Sequence, residues 1–188
     1  MHRLPEQSTS RRQFIVGAVK TAAGLLLCSP VPVWATSRKK ISKRTLSFYN
    51  THTLEELKIT YARNKVYDPE ALRKVNHFLR DHRTGDTHPI DPKLLDMLYT
   101  VQCAYGDCGV FEVISGYRSP QSNAVLRQNS SGVAEHSLHL VGKAIDIRPT
   151  RMKTRTLREI ALQLKWGGVG YYAKSDFVDL DTGRVRTW

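Results

Sequence analysis

The segment SLHLVGKAID, residues 137–146, decides the fold and the chemistry that this chain of 188 residues predicts. It places the imidazole of His139 and the carboxylate of Asp146 seven residues apart, with a glycine between them. Side chains alternate between the two faces of a strand, so Asp146 faces away from the isoleucines on either side of it. Gly142 lets the backbone turn so that the two polar side chains converge. Histidine and aspartate in this arrangement predict two protein ligands of a zinc ion, which takes three such ligands in hydrolytic sites.

Three further motifs accompany this segment: SGYRS at 115–119, GGVGYY at 167–172 and FVDLDTG at 177–183. Together with the pattern Ser-x-His-x-x-Gly-x-Ala-x-Asp, they resemble the zinc peptidoglycan peptidases related to D-alanyl-D-alanine peptidases. Within these peptidases the chain is most similar to the murein endopeptidase K group, which is exported by the twin-arginine route. Several motifs in a fixed order are far more specific than any one of them, and the resemblance covers the chain from about residue 36 to its end.

The resemblance implies a fold, an activity and a set of site residues. The fold is α+β and similar to that of hedgehog and the D-Ala-D-Ala peptidases, and the activity is zinc-dependent cleavage of peptidoglycan cross-links at bonds to meso-diaminopimelate. One Zn²⁺ per chain would be bound by His139, Asp146 and Asp179. Peptide hydrolysis also needs a base and a cation beside the developing oxyanion, and the resemblance assigns these roles to Asp176 and Arg118. Substrate contacts would come from Ser115, Tyr117, Ser137 and Tyr171.

The third ligand position departs from the family pattern. The family has histidine at the end of Asp-Phe-Val-His, whereas this chain reads DFVD over 176–179. Aspartate binds Zn²⁺ at about 2.0–2.2 Å, so Asp179 is either an unusual ligand or the mark of an inactivated site. His136, three residues before His139, is predicted to be an exposed loop histidine, with a substitute metal ligand as the alternative. Asp181 reaches either the surroundings of the metal or the turn at Thr182 and Gly183.

The other assigned roles have plainer alternatives. Arg118 follows the apolar run at 111–114, at the end of a predicted buried strand, where a charge usually has a function. The alternative is that it hydrogen-bonds carbonyl groups of its loop. Tyr117, Tyr171 and Tyr172 either line a substrate groove or pack beside the glycine-rich turns.

The first 35 residues read as a twin-arginine signal peptide. SRRQFI at 10–15 precedes an apolar run at 16–27, and VWA at 33–35 offers small residues for signal peptidase. The apolar run is too short and interrupted for a transmembrane helix. Leu27 is too bulky for lipidation at Cys28. We therefore predict cleavage after Ala35, a periplasmic or cell-envelope location, and no stable membrane insertion afterwards.

The remaining residues, 36–188, are enough for one domain with its own core. The whole chain carries 29 basic and 17 acidic residues. The signal removes four of the basic and one of the acidic residues, which leaves a formal charge of +9. A basic surface suits an anionic polymer. Export excludes nucleic acid, so the predicted partners are the stem peptides of peptidoglycan, bound by a monomer.

Two cysteines remain after the signal, in the sequence CAYGDC at 103–108. An oxidising destination predicts a disulfide between Cys103 and Cys108 across the intervening turn. Two free thiols are the alternative, because twin-arginine substrates fold before export.

The pattern of the mature chain predicts helices packed on a small, mainly antiparallel sheet that carries the zinc site. Hydrophobic alternation and composition predict a hairpin at 46–49 and 57–61 and strands at 111–115, 143–148, 168–172 and 177–181. Asp-Pro pairs at 68–69 and 91–92 start two helices, and two more are predicted at 119–126 and 154–164. Three functions fit these features: a zinc murein endopeptidase, a catalytically impaired murein-binding or regulatory protein, and a structural envelope protein.

Overall fold

The structure, a computed structural model, describes residues 42–130 and 132–188. The predicted signal peptide lies outside these residues. The strands are β1 (Lys43–Asn50), β2 (Glu56–Arg63), β3 (Val66–Tyr67), β4 (Phe111–Ser115), β5 (Ala144–Pro149), β6 (Gly168–Tyr172), β7 (Phe177–Asp181) and β8 (Arg186–Thr187). The helices are α1 (Pro69–Phe78), α2 (Pro92–Tyr105), α3 (Pro120–Asn129) and α4 (Thr154–Leu164), with a short 3₁₀ helix at Leu138–Val141. The α+β class and the predicted hairpin are confirmed.

All eight strands form one sheet in the order β3-β2-β1-β4-β5-β7-β6-β8. The pairs β1–β4 and β6–β8 are parallel, and the other five pairs are antiparallel. The prediction of a mainly antiparallel sheet is therefore confirmed. The prediction of a small sheet is wrong, because β3 and β8 extend it by two short edge strands that carry no hydrophobic alternation.

One face of the sheet packs on the hydrophobic core and the other carries the polar side chains. Ile145 and Ile147 of β5 are fully buried in the core together with Leu94 and Leu98 of α2 and Leu157 of α4. The alternation of the strand turns the even-numbered residues of β5 the other way. Helices α1, α2 and α4 supply the helical half of the core, whereas the buried residues of α3 are the polar Ser122 and Asn123.

The predicted helix starts are present, and one of them is tied to the glycine turn. Asp68 accepts hydrogen bonds from the first turn of α1, and Asp91 accepts one from the N–H of Lys93 at the start of α2. The N–H of Asp91 also donates to the carbonyl of Gly142 at 2.9 Å, and Thr182 donates its hydroxyl proton to the Asp91 carboxylate at 2.7 Å. Asp91 thus connects the start of α2 to the turn before β5, through Gly142, and to the turn after β7, through Thr182.

The predicted disulfide is wrong in this structure, because Cys103 and Cys108 are both free. Cys103 is exposed near the end of α2, whereas Cys108 is fully buried in the core beyond the turn. The helix continues to Tyr105 and directs the two sulfurs into different environments.

Among the described residues, no helix is both long and apolar enough to cross a membrane.

Candidate metal centre

His139, Asp146 and Asp179 converge in the structure. The Nε2 atom of His139 lies 3.6 Å from Oδ2 of Asp146 and 3.7 Å from Oδ1 of Asp179. One ligand atom from each residue lies within 4.8 Å of the other two. The three side chains come from the 3₁₀ helix, β5 and β7, and the register of β5 with β7 places Asp146 directly opposite Asp179. We call these three residues the metal cluster; it lines a cavity of about 520 Å³.

The glycine turn after the 3₁₀ helix is required by its surroundings. Gly142 has φ 64°, and a Cβ atom at this position would lie 2.2 Å from the carbonyl oxygen of Pro89. Only glycine accommodates both the left-handed backbone and this close approach. Ser137 caps the 3₁₀ helix by accepting a hydrogen bond from the N–H of His139. The predicted role of Gly142 in bringing His139 towards Asp146 agrees with this geometry.

A backbone carbonyl orients the ring of His139. The Nδ1 atom lies 2.7 Å from the carbonyl oxygen of Gly116, and because a carbonyl only accepts, Nδ1 carries the proton. Nε2 therefore faces Asp146 and Asp179. In the neutral ring its lone pair points at two carboxylates, an arrangement that needs a cation between them. This donor–acceptor pattern is typical of metal-binding histidines, whose second nitrogen is held by a carbonyl or carboxylate.

The electrostatics of the metal cluster favour a positive charge between its two carboxylates. Burial opposes a charge on His139, but the facing carboxylates of Asp146 and Asp179 outweigh it and raise the His139 pKa to about 10. Burial raises the pKa of Asp179, and the neighbouring Asp146 adds to this effect. The Oδ1 atom of Asp179 is buried with no hydrogen-bond partner among the described residues. A divalent cation fits such a donor set, since it satisfies this oxygen and both carboxylate charges.

Arg118 lies at the edge of the metal cluster. Its Nη2 atom is 3.9 Å from Oδ2 of Asp146, and its side chain is largely buried. Nη1 donates to the side-chain oxygen of Asn123 at 3.3 Å, and the backbone N–H donates to the carbonyl of His139 at 3.2 Å. In the described part of the chain no backbone carbonyl accepts from its guanidinium, so the alternative of a purely loop-bonding arginine does not describe this side chain.

The structure does not bring Asp176 to the metal cluster. Its backbone adopts a left-handed φ of 51° in the turn before β7, and its Oδ1 accepts a 2.6 Å hydrogen bond from the hydroxyl of Thr154. Its Oδ2 lies 3.9 Å from Nη1 of Arg148. The carboxylate lines a second cavity that does not include His139. A base role for Asp176 would require this turn to move.

The predicted substrate-binding residues do not all lie at the metal cluster. Ser137 lines the cavity of the metal cluster, and Ser115 lies half-buried opposite Asp146 in the sheet register. Tyr117 instead stacks on His88 with ring centroids 4.9 Å apart. Tyr171 packs beneath Arg158 and lines the second cavity. The packing alternative thus describes Tyr117, whereas Tyr171 lines a cavity other than that of the metal cluster.

His136 and Asp181 both line the cavity but lie outside the metal cluster. His136 is exposed and lines the cavity, but it is not part of the metal cluster. Asp181 is buried and bonds the backbone N–H groups of Gly168 and Gly183 and the guanidinium of Arg186. Asp181 therefore caps the turn, as predicted, and it also lines the cavity of the metal cluster.

An aromatic wall lies beside the metal cluster, and of its three members only Tyr172 was a predicted groove residue. Tyr172, Phe177 and the C-terminal Trp188 line the same cavity. The Trp188 indole donates to the hydroxyl of Tyr172 at 3.0 Å, and the guanidinium of Arg186 lies 4.6 Å from the centre of the Trp188 ring. Gly170 makes room for this ring, because a Cβ there would lie 2.5 Å from it. The pairing of β8 with β6 creates this wall, and no local sequence pattern signals that pairing.

Comparison with known proteins gives a consistent assignment. The family model described as "Peptidoglycan L,D-endopeptidase MepK" matches residues 38–188. The peptidoglycan L,D-endopeptidase MepK of Escherichia coli (strain K12) is 39% identical over 178 residues, which cover 95% of this chain and 96% of that protein. The probable peptidoglycan L,D-endopeptidase MepK of Haemophilus influenzae is 37% identical over 179 residues, with 95% and 94% covered. The family resemblance drawn from the motifs is confirmed, and the chain belongs to the peptidoglycan L,D-endopeptidase MepK family.

Proposed function

We propose that this protein is a zinc-dependent peptidoglycan L,D-endopeptidase that hydrolyses peptide cross-links in cell-wall remodelling. The observation that carries the proposal is the convergence of His139, Asp146 and Asp179 in one cavity, in a chain whose family is named for this activity. The relatives' names give peptidoglycan as the substrate of those proteins, and we infer that the part of it cleaved by this protein is the cross-linked stem peptide.

The metal cluster would hold one Zn²⁺ through Nε2 of His139 and one carboxylate oxygen each from Asp146 and Asp179. A zinc ion in such a site polarises the scissile carbonyl and lowers the pKa of water. Gly116 keeps the His139 ring in the tautomer that leaves Nε2 available. His139 must lose its Nε2 proton before it binds a metal, because a ring protonated on both nitrogens has no lone pair to offer.

Arg118 would stabilise the negative charge that develops on the substrate carbonyl oxygen. Its guanidinium is preorganised, since Asn123 and the backbone of His139 hold its side chain and main chain. The guanidinium is also largely buried, and in such a site a positive charge acts more strongly on the substrate than it would in water. The wall of Tyr172, Phe177 and Trp188 lines the same cavity and would pack against the substrate.

A second function is favoured by one specific observation, the carboxylate at position 179. Two carboxylates neutralise the charge of Zn²⁺, whereas one leaves a net positive site, so the His/Asp/Asp set makes the ion less electrophilic. A catalytically impaired murein-binding or regulatory protein is therefore the alternative. The position of Asp176 also bears on whether the protein is an active enzyme. Its carboxylate would have to leave the hydroxyl of Thr154 to serve as the base that the resemblance implies.

The decisive experiment measures zinc content and cleavage together. Purified protein is assayed for bound metal and then incubated with defined cross-linked muropeptides, before and after treatment with a chelator and after zinc is restored. The endopeptidase predicts about one zinc per chain and cleavage that follows zinc. Binding to sacculi without cleavage at full zinc occupancy would establish the regulatory alternative instead.

We further propose that residues 1–35 direct export by the twin-arginine route and that residues 36–188 act in the periplasm or cell envelope. The paired Arg11 and Arg12 before an apolar run support this route. Changing both to lysine should leave the precursor in the cytoplasm, as fractionation and immunoblotting would show. Normal processing of the double variant would contradict the proposal.

A further inference from the structure

A second cavity, of about 800 Å³, lies beside the cavity of the metal cluster. Four cationic side chains and two carboxylates line it, together with two tyrosines; the charged residues are Glu112, Arg148, Arg151, Lys153, Arg155 and Asp176. We call it the basic cavity. Among its arginines, Arg151 pairs with Asp107 and Arg155 with Glu159, both on the exposed rim.

The sheet joins the basic cavity to the metal cluster. Arg148 follows Asp146 by two residues on β5, so both side chains leave the same face of the strand with Cα atoms about 7 Å apart. The start of β7 also connects the two cavities. Asp176, in the turn before β7, lines the basic cavity, and the adjacent Phe177 lines the cavity of the metal cluster. A peptide bound at the metal cluster and extended along this face therefore reaches Arg148.

The guanidinium of Arg148 is held in place by one hydrogen bond, and its two Nη atoms have no hydrogen-bond acceptor among the described residues. Its Nε donates a 2.6 Å hydrogen bond to Glu112, its register partner on β4, and this bond fixes the plane of the guanidinium. Its Nη1 lies 3.9 Å from Asp176, too far for a hydrogen bond. Within residues 42–130 and 132–188 no protein acceptor bonds either Nη atom, and the side chain is 37% exposed. An arginine held by Nε presents its Nη atoms as a fork that fits a carboxylate.

We infer that Arg148 is a specificity-determining residue that binds a free carboxylate of the substrate stem peptide, away from the scissile bond. An extended peptide advances about 3.3 Å per residue, so the bound carboxylate lies about 7 Å, the length of two extended residues, from the bond at the metal cluster; the far carboxylate of a diaminopimelate joined at that bond is such a group. This inference rests on the proposed function, since it takes the peptide substrate from it. Glu112 acts as a positioning residue for the Arg148 fork.

The test compares one muropeptide in two forms, with its diaminopimelate carboxylate free and with the same carboxylate amidated. Binding to the full chain is measured by calorimetry and cleavage by chromatography. The variants are Arg148→Gln and Arg148→Lys, with Arg73→Gln as the control, because Arg73 is an exposed arginine on α1 whose loss removes the same charge. Melting temperature and zinc content verify that each variant is folded.

We expect the wild type and Arg73→Gln to bind the free-carboxylate form about tenfold more tightly than the amidated form, the order expected for a charge-assisted hydrogen bond. Arg148→Gln should bind both forms equally, with a raised KM for the free form and an unchanged kcat. Arg148→Lys should restore part of the preference, since it keeps the charge but not the fork.

A wild type without this preference, or an Arg148→Gln variant that keeps it, would overturn the inference. Cleavage without carboxylate dependence would leave the proposed function in place and remove only the role of Arg148. Carboxylate-dependent binding without cleavage at full zinc occupancy would leave the role of Arg148 in place and contradict the proposed endopeptidase function. A wild type that neither binds nor cleaves either form would contradict both.

Discussion

His139 and Gly116 are joined by a 2.7 Å hydrogen bond from the ring Nδ1 to the backbone carbonyl oxygen. The backbone N–H of Arg118 returns a bond to the carbonyl of His139 at 3.2 Å. These two bonds fix the loop that carries Arg118 against the 3₁₀ helix that carries His139. One interaction therefore sets the tautomer of the proposed metal ligand, and the other places the proposed oxyanion-binding cation beside it.

We predict that His139→Ala abolishes zinc binding and hydrolysis together. The substitution removes one of three ligand atoms and leaves the carboxylates of Asp146 and Asp179 facing each other in a buried site. Zinc content by elemental analysis and muropeptide cleavage would both be measured. His136→Ala is the matched control, because His136 is an exposed histidine on the same segment and its loss should preserve both. Equal zinc content in wild type and His139→Ala would remove the metal cluster from the proposal.

We predict that Asp176→Asn keeps full zinc content and reduces turnover by less than tenfold. The asparagine retains an oxygen for the Thr154 hydroxyl bond, and the native carboxylate lies outside the cavity of the metal cluster. Turnover at matched zinc occupancy would be compared with that of the wild type. A loss of more than a hundredfold would instead assign proton transfer to Asp176 and show that the turn moves when substrate binds.

Helices and core strands were predictable because their signals are local. The helix α4 spans Thr154–Leu164 as predicted, and the pairs Asp68-Pro69 and Asp91-Pro92 begin α1 and α2. The convergence of His139 and Asp146 followed from two local facts, the alternation along β5 and the spacing around Gly142, whereas Asp179 was predicted only from the family resemblance. Both features are present in the folded protein because each depends on one strand or one turn and not on contacts between distant segments.

The features that could not be predicted depend on contacts between distant segments. The strand β8 has two residues and no hydrophobic alternation, and it exists because it pairs with β6. The direction of Asp176 follows from a left-handed backbone at a non-glycine residue, which sequence composition does not signal. The separation of the exposed Cys103 from the buried Cys108 is a property of the folded core that the short spacing between them does not reveal.

We predict that Asp81→Asn lowers stability in a pH-dependent way. Asp81 is buried and accepts a 2.8 Å bond from the N–H of Ser119, beside Arg118. Burial opposes its charge, but the nearby Ser122 hydroxyl and the N–H groups of Ser119 and Arg83 outweigh it and lower the Asp81 pKa to about 2.

Because the folded pKa lies below the unfolded value, the charged Asp81 stabilises the fold above about pH 4 and loses this effect as the pH falls to 2. The difference in unfolding free energy between wild type and Asp81→Asn should therefore shrink by about 2 kcal/mol between pH 6 and pH 2. Urea denaturation across this range measures it. Asp107→Asn, an exposed carboxylate, should change stability by less than about 0.5 kcal/mol at neutral pH. A difference for Asp81→Asn that stays constant with pH would contradict the assignment.

We predict that Cys103 and Cys108 are both free thiols of unequal reactivity. Cys103 is exposed, whereas burial raises the pKa of Cys108 to about 11 and keeps reagents away. Without reductant, iodoacetamide should modify Cys103 in the native protein and Cys108 only after unfolding, as peptide mapping by mass spectrometry would show. Cys103→Ser should leave the Cys108 pattern unchanged. Failure to alkylate either residue in denaturant would indicate the disulfide after all.

The carboxylate of Asp179 stands where the family pattern implies an imidazole. Asp179 lies opposite Asp146 in the sheet, with its buried Oδ1 unpaired among the described residues. An imidazole at this position would bind zinc as a neutral group and leave the ion with more positive charge. We predict that Asp179→His raises zinc-dependent cleavage of cross-linked muropeptides, by about tenfold or from an undetectable level, whereas Asp179→Asn, which removes the charge without supplying an imidazole, lowers zinc content.

Cleavage would be measured at matched zinc occupancy for the wild type and both variants, so that a change in metal affinity is not counted as a change in turnover. A faster Asp179→His variant would show that the native carboxylate limits the electrophilicity of the site. A fully active wild type with a slower histidine variant would show the opposite, that β7 has adapted to a shorter, charged ligand held close to Asp146. In that case the His/Asp/Asp set would be a working zinc centre in its own right, and the impaired-enzyme alternative would be excluded.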